Sequence, residues 1–298
     1  MKIILTVFSL FISTSLLFAA GETGLAVLKV GVGARAVAMG EAFVATANDA
    51  SGLYWNPAGS AWIEKRQAHF THNAWLQGIN HNVASLTFPT NIGTFGLGLL
   101  LNNIDGFERR TIASEEPTGT FSYHDFSMAL NYARKFNETL SLGVNLKYVN
   151  EKIYIEDASG YMIDLGLRYH LPVDGLIVAG AVQNLGFTTE MLNEKIRLPQ
   201  TLRLGGAYDV PFGLMKDKVR AAIDYVQVFQ ESSHINVGAE VMPVDAVSVR
   251  AGYQTGFEEK GISAGFGLHM SWLDIDYAYV PFGRDLGDSH RFSLTTTF

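Results

Sequence analysis

From about residue 65 to its end, the chain is a succession of short runs in which apolar and polar residues alternate with period two. Successive side chains of a strand point to opposite faces, so each run has one apolar and one polar face. In the clearest run, Leu140, Leu142, Val144, Leu146 and Tyr148 face one way, and Ser141, Gly143, Asn145 and Lys147 the other. Ile163, Leu165, Leu167 and Tyr169 likewise oppose Asp164, Gly166, Arg168 and His170. The same holds for Leu202 and Leu204 against Arg203 and Gly205, for Ile223 and Tyr225 against Arg220 and Asp224, and for Val247 and Val249 against Ser248 and Arg250. Leu273, Ile275 and Tyr277 oppose Asp274 and Asp276, and the last run sets Phe292, Leu294, Thr296 and Phe298 against Arg291, Ser293, Thr295 and Thr297. Only a fold made of many half-buried antiparallel strands accommodates this pattern.

A soluble sandwich also alternates, so composition has to decide. Past Phe18 no apolar stretch is long enough to span a bilayer as a helix. Yet 48% of residues are hydrophobic and only 17% are charged, where a soluble domain carries about 25% charged residues. A transmembrane β-barrel removes the conflict, because its apolar residues are spread one in two along many strands. Tyr148, Tyr169, Tyr208, Tyr225, Tyr253 and Tyr279 recur near run ends, where an interfacial aromatic girdle sits. The expectation is an all-β, antiparallel transmembrane barrel of about 14 strands. Connections alternate between short, as at Pro89–Asn91 and Phe136–Glu138, and long, as at Asn103–Gly119, Asn150–Gly160 and Gly186–Pro199. Short turns belong to the periplasmic side, which puts both termini there. The run Leu176–Asn184 alternates poorly, and its register stays open.

Residues 1–21 read as a signal peptide: Lys2, the apolar run Ile3–Phe18, then Ala19-Ala20-Gly21 as a cleavage site. The chain has no Cys, which excludes a lipoprotein anchor, disulfides and thiolate metal sites. The net charge of −7 argues against nucleic acid. A bacterial outer-membrane barrel follows, with outer-membrane lipid and the barrel-assembly machinery as partners. Its last strand, ending in Phe298, resembles the assembly signal that this machinery reads.

Residues 22–64 do not read as strands. Ala34–Val44 is Ala-rich, with Met39 and Phe43 on one helical face; Asn48-Asp49-Ala50-Ser51 and Asn56-Pro57-Ala58-Gly59 are helix starts. Irregular backbone is not tolerated in lipid, so this segment either hangs in the periplasm or fills the lumen. Val37, Met39, Phe43, Leu53, Tyr54 and Trp55 need burial, which favours a hatch in the lumen of a barrel spanning 65–298.

Two stretches carry a family resemblance. Gly33–Phe43 followed by Asn48-Asp49-Ala50-Ser51-Gly52-Leu53-Tyr54-Trp55-Asn56-Pro57-Ala58-Gly59 is similar to the start of the PorV/PorQ family of FadL-like outer-membrane barrels. Asp276–Gly283 and Leu286–Arg291 resemble its end. The resemblance implies fourteen strands with an N-terminal hatch, marked here by Asp49, Ala50, Asn56, Pro57 and Ala58. It also implies one of two roles: export of secreted proteins in a type IX-like system, with secreted proteins and other secretion components as partners, or FadL-like passage of fatty acids and other hydrophobic molecules. Met191, Leu192 and Ile196 form a candidate capture patch for the second role. A kinked wall strand beside an apolar lumen pocket would favour transport. A wall fully paired by charged residues, without such a pocket, would speak against it.

No cofactor, metal or catalytic constellation emerges. Gly31–Ala36 fits a dinucleotide fingerprint but lacks the strand–helix alternation around it. His69 and His72 fall on opposite faces of a strand. Asp274 and Asp276 share a face, either as an acid pair or as partners of cations. Asp164, Arg168, Arg203, Arg220, Asp224, Arg250, Asp274 and Asp276 together suggest a lumen wall of ion pairs, mainly structural.

Overall fold

The computed structural model describes residues 23–298 apart from 75–78, 111–115, 193, 212, 214–217, 258–259 and 285–286. The expected signal peptide lies outside the described residues. The strands are β1 (Gln67–Ala74), β2 (Asn80–Thr90), β3 (Gly93–Arg109), β4 (Gly119–Lys135), β5 (Leu140–Ile153), β6 (Glu156–His170), β7 (Leu176–Thr188), the short β8 (Glu190–Met191) and β9 (Glu194–Lys195), β10 (Thr201–Asp209), β11 (Val219–Val228), β12 (Ser233–Val244), β13 (Val247–Gln254), β14 (Ile262–His269), β15 (Leu273–Pro281) and β16 (Asp288–Thr297). All but β8 and β9 close into one barrel of fourteen antiparallel strands, in which β1 pairs with β2 on one side and β16 on the other. β8 and β9 form a separate hairpin within the β7–β10 connection.

Closure gives every barrel strand a neighbour on both sides and lets the apolar face of each strand look outward. Leu142, Leu146, Ile163, Leu165, Leu167, Val249, Phe266, Phe292 and Leu294 are exposed, while their neighbours Ser141, Asn145, Asp164, Arg168, Arg250, Arg291 and Ser293 are buried. This is the reverse of a soluble sandwich. His69 points into the lumen and His72 does not.

The wall is uneven. β3 and β4 have 17 residues each, against 8 in β13 and in β14. A tilted strand needs about 9–11 residues to cross a bilayer, so the β3–β7 side projects beyond it. Strand therefore takes up the start of the long connection expected at Asn103–Gly119, through Arg109, and most of the one expected at Asn150–Gly160. The second shrinks to a turn at Tyr154-Ile155, where Tyr154 takes a left-handed φ of 58°.

The hatch runs inside the barrel from Thr23 to the start of β1. It holds a short helix α1 (Ala34–Ala38) and 3-10 turns at Ala26–Lys29, Ala50–Tyr54 and Pro57–Trp62. The helical face expected over Ala34–Val44 ends early, because Gly40 and Glu41 adopt left-handed φ values of 63° and 61°. Asp49 caps the Ala50 turn through Ser51 N–H (2.9 Å), and Asn56 caps the Pro57 turn through Ala58 N–H (3.0 Å). Gln67 of β1 pairs with Thr297 of β16, so the barrel's first and last strands meet at the short-turn end. Thr23, the first described residue, lies at the opposite, long-loop end, bonded to Glu231 of the β11–β12 loop, so the described start of the hatch and the end of β16 do not share the short-turn side expected for both termini.

Candidate functional site

The hatch seats on the wall where the lumen face has no side chain. Gly98, Gly143, Gly166, Gly205, Gly238, Gly252 and Gly265 lie against Tyr54, Pro57, Asn56, Val44, Met39, Gly40 and Ala38 respectively, so close that a methyl at any of them would overlap the hatch. Asn56 holds the centre. Its Nδ2 donates to Val44 O (3.0 Å) and to Leu167 O of β6 (3.1 Å). Phe43, Val44 and Trp55 pack on Ile177, Ala179 and Ala181 of β7, Ala207 of β10 and Ala222 of β11. β7 is thus apolar on both faces, which is why Leu176–Asn184 shows so little alternation.

Charge ties the hatch to the other half of the wall. Asp209 and Arg220 pair at 2.5 Å, Arg220 and Glu240 at 3.8 Å, Glu240 and Arg250 at 2.6 Å, and Arg250 and Asp276 at 2.6 Å. Arg35 of α1 joins this row through Glu240 and bonds Asp49 within the hatch, each at 3.1 Å. Burial alone would lower the Arg35 pKa, but Glu240 and Asp49 raise it above its ordinary value. Burial alone would raise that of Asp49, but Arg35, His69 and the Ser51 hydroxyl hold it below the usual carboxylate range.

Among the eight residues expected to form an ion-pair wall, Arg250–Asp276 is the one pair formed within the set. The other partners, Lys147, Asp209, Glu240 and His269, lie outside that set. Asp164 pairs with Lys147 at 2.7 Å. Asp224 turns to the hatch and accepts Phe43 N–H (2.8 Å) and Val44 N–H (2.9 Å). Arg203 stacks over Trp55 and Arg168 over Trp62, and Arg168 also donates to Ala47 O. Asp274 pairs with His269 at 2.8 Å and does not form an acid pair with Asp276. Sequence spacing identifies lumen-facing charges. It cannot show which of them the hatch will claim.

The wall is interrupted at β7. The β6–β7 register shifts between Ile163 and Leu165, and Asn184 sits in the resulting bulge with φ 61°. Asn184 N–H donates to Asp164 Oδ1 (2.7 Å), and its Nδ2 donates to Pro199 O (2.8 Å). The ladder to β10 ends at the pair Gln183–Thr201, so Leu185–Thr188 has no strand partner on that side. The segment Lys195–Gln200 lies along this edge, with the Thr188 hydroxyl donating to Ile196 O (2.9 Å). Between them is a cavity of about 490 Å³, lined by Gly186, Phe187, Ile196, Leu198 and Phe229, with Lys195 and Arg197 among its polar groups. That volume falls in the range of small-molecule pockets, about 300–1,000 Å³.

The two sides of this seam are both apolar. Outside, Phe126, Tyr148, Tyr161 and Phe187 form a row of ring contacts across β4–β7, with centroids 6.4, 5.4 and 6.2 Å apart. Inside, Ile196 and Leu198 pack on Leu25 of the hatch, Val149 and Met162. Of the residues expected in a capture patch, Ile196 turns inward onto Leu25 of the hatch, and Leu192 is 69% exposed. Phe187 and Phe229 carried no signal in the alternation, because they belong to a strand edge and a loop.

The sequence model described as "Uncharacterised protein family (UPF0164)" matches residues 17–157. No curated protein sequence matches the chain. Solved structures match its fold over most of its length. A TodX deltaS2S3 mutant monoaromatic hydrocarbon channel covers 90% of this chain and 99% of its own at TM-score 0.65 and 14% identity. The Pseudomonas putida toluene transporter TodX covers 89% and 96% at TM-score 0.62 and 13% identity. A Pseudomonas aeruginosa FadL homologue covers 87% and 96% at TM-score 0.58 and 15% identity. The chain therefore has a FadL/TodX-type barrel fold.

Proposed function

We propose that this chain is an outer-membrane transporter of small hydrophobic molecules, with its short turns facing the periplasm, and that solute moves between lipid and lumen through the seam beside β7. The observation that carries the reading is the unpaired edge of β7 beside the cavity. Apolar side chains run along it from Phe187 on the outer wall past Ile196 and Leu198 to Leu25 of the hatch, beside a cavity that Thr188, Lys195, Arg197, Gln200 and Gln230 also line. The FadL/TodX-type fold supports the same reading. The chemistry required is only desolvation and passage, since an apolar solute gains about 25 cal/mol per Å² of surface kept from water. The rival reading, protein export of the PorV/PorQ type, rests on the terminal motifs.

A cysteine pair at the seam tests the proposal in a chain that has no other Cys. Thr188→Cys with Ile196→Cys, oxidised in place, should lower uptake of radiolabelled toluene or oleate by cells at least tenfold, and reductant should restore it. Uptake unchanged by the crosslink would overturn the lateral route. Secreted proteins co-purifying in mild detergent, with no uptake at all, would move the assignment to export.

A further inference from the structure

The lumen wall carries a second polar feature that the hatch does not use. At one level near the long-loop end, four successive strands present His81 on β2, Asn102 on β3, Asp125 on β4 and Glu151 on β5, each the direct cross-strand partner of the next. Asp125 is 2% exposed and Glu151 8%. Like charges set directly opposite each other on adjacent strands repel. Among the described residues neither carboxylate has a Lys, Arg or His in ion-pair contact.

Hydrogen bonding satisfies only part of the row. Asn102 Nδ2 donates to Asp125 Oδ2 (3.2 Å), and Tyr123 OH donates to Glu151 Oε1 (2.9 Å). Asp125 Oδ1 and Asn102 Oδ1 are buried without a partner among the described residues, as are both ring nitrogens of fully buried His81. An unpaired buried polar atom costs about 1–3 kcal/mol, so several together need an explanation. A proton on Asp125 would close an acid–amide ring with Asn102, Asp125 Oδ1–H donating to Asn102 Oδ1, but it would leave the Glu151 carboxylate with Tyr123 as its one donor among the described residues. A cation would satisfy both carboxylates and the carboxamide at once.

We propose that Asp125, Glu151 and Asn102 hold a hard divalent cation of the calcium type on the lumen wall below the long-loop mouth. All three offer oxygen, the donor such ions select over thiolate or imidazole. Calcium accepts the irregular, partly hydrated geometry that three strands of a sheet can provide, where magnesium demands a near-ideal octahedron. His81, one strand away, is placed to hold a water of the ion's shell. This site is independent of the seam and of the solute it passes.

The test is calorimetric titration of CaCl2 into the EDTA-stripped full-length barrel in detergent. Wild type should show one saturable site. Asp125→Asn with Glu151→Gln should weaken it at least tenfold, while Glu190→Gln, in the β8–β9 hairpin, should leave it unchanged. Asn102→Asp adds a third carboxylate and should tighten calcium binding severalfold. If wild type shows no saturable site, or if the double variant binds as wild type does, the proposal is overturned. Asn102→Asp that folds normally without tighter binding overturns it as well.

Discussion

Single atoms decide whether the lumen is closed. At Gly166 the wall makes room for Asn56 and Pro57, and a side chain there must displace them. Gly166→Val keeps a good strand former in β6, so the barrel should still close while the hatch is pushed from its seat. In planar bilayers the variant should conduct severalfold more than wild type; equal conductance would mean that the hatch does not close the pore. Asp49 offers the same control through pH. Its folded pKa is depressed, so the stabilisation it gives is complete above the ordinary aspartate value of about 3.9 and is lost as pH falls through its lower folded value. Conductance should stay low at pH 5 and rise only below about pH 4. Asp49→Asn should remove the threshold and leak at neutral pH.

At the scale of the element, the strands were legible and the seam was not. The alternation in β5, β6, β13 and β16 places their lumen and outer faces correctly, because one face meets apolar surroundings and the other does not. β7 defeats the same logic. Its inner face meets Phe43 and Trp55 rather than polar groups, and its bulge depends on Asp164 and Pro199, which lie 20 and 15 residues away. No local pattern encodes that. The hatch shows the opposite balance: the capping signals of Asp49 and Asn56 are local and were readable, while the glycine seats that receive them are distributed over seven strands. The bulge itself can be tested. Asn184→Val places a β-branched residue at a left-handed φ, at a cost of about 1–3 kcal/mol, and removes the bonds to Pro199 and Lys147. The variant should be less stable to urea by that order and should pass less solute, with hatch conductance unchanged.

For the whole molecule, the outward apolar wall needs apolar surroundings of bilayer kind. Phe298 ends the chain beside Arg66, bonded backbone to backbone at 3.0 Å, and its ring is exposed outward. It makes no packing contribution to the lumen, and the part in assembly expected of the last strand is open to a direct test. Phe298→Ala should lower the amount of barrel in the outer-membrane fraction severalfold, while the protein that does insert keeps wild-type urea resistance. A loss of stability equal to the loss of yield would assign Phe298 a structural part instead.

The hatch also imposes an order of events in time. It touches β3, β5 and β6 through Tyr54, Pro57 and Asn56, and β12, β13 and β14 through Met39, Gly40 and Ala38, so it bridges opposite sides of a ring. A segment holding Trp55, Phe43 and Trp62 cannot be threaded into that ring once β1 has zipped onto β16. The hatch is therefore placed while the sheet is still an open trough, and the joining of the first and last strands is the step that imprisons it. A barrel refolded without its N-terminal segment and then offered that segment as a separate peptide should remain open.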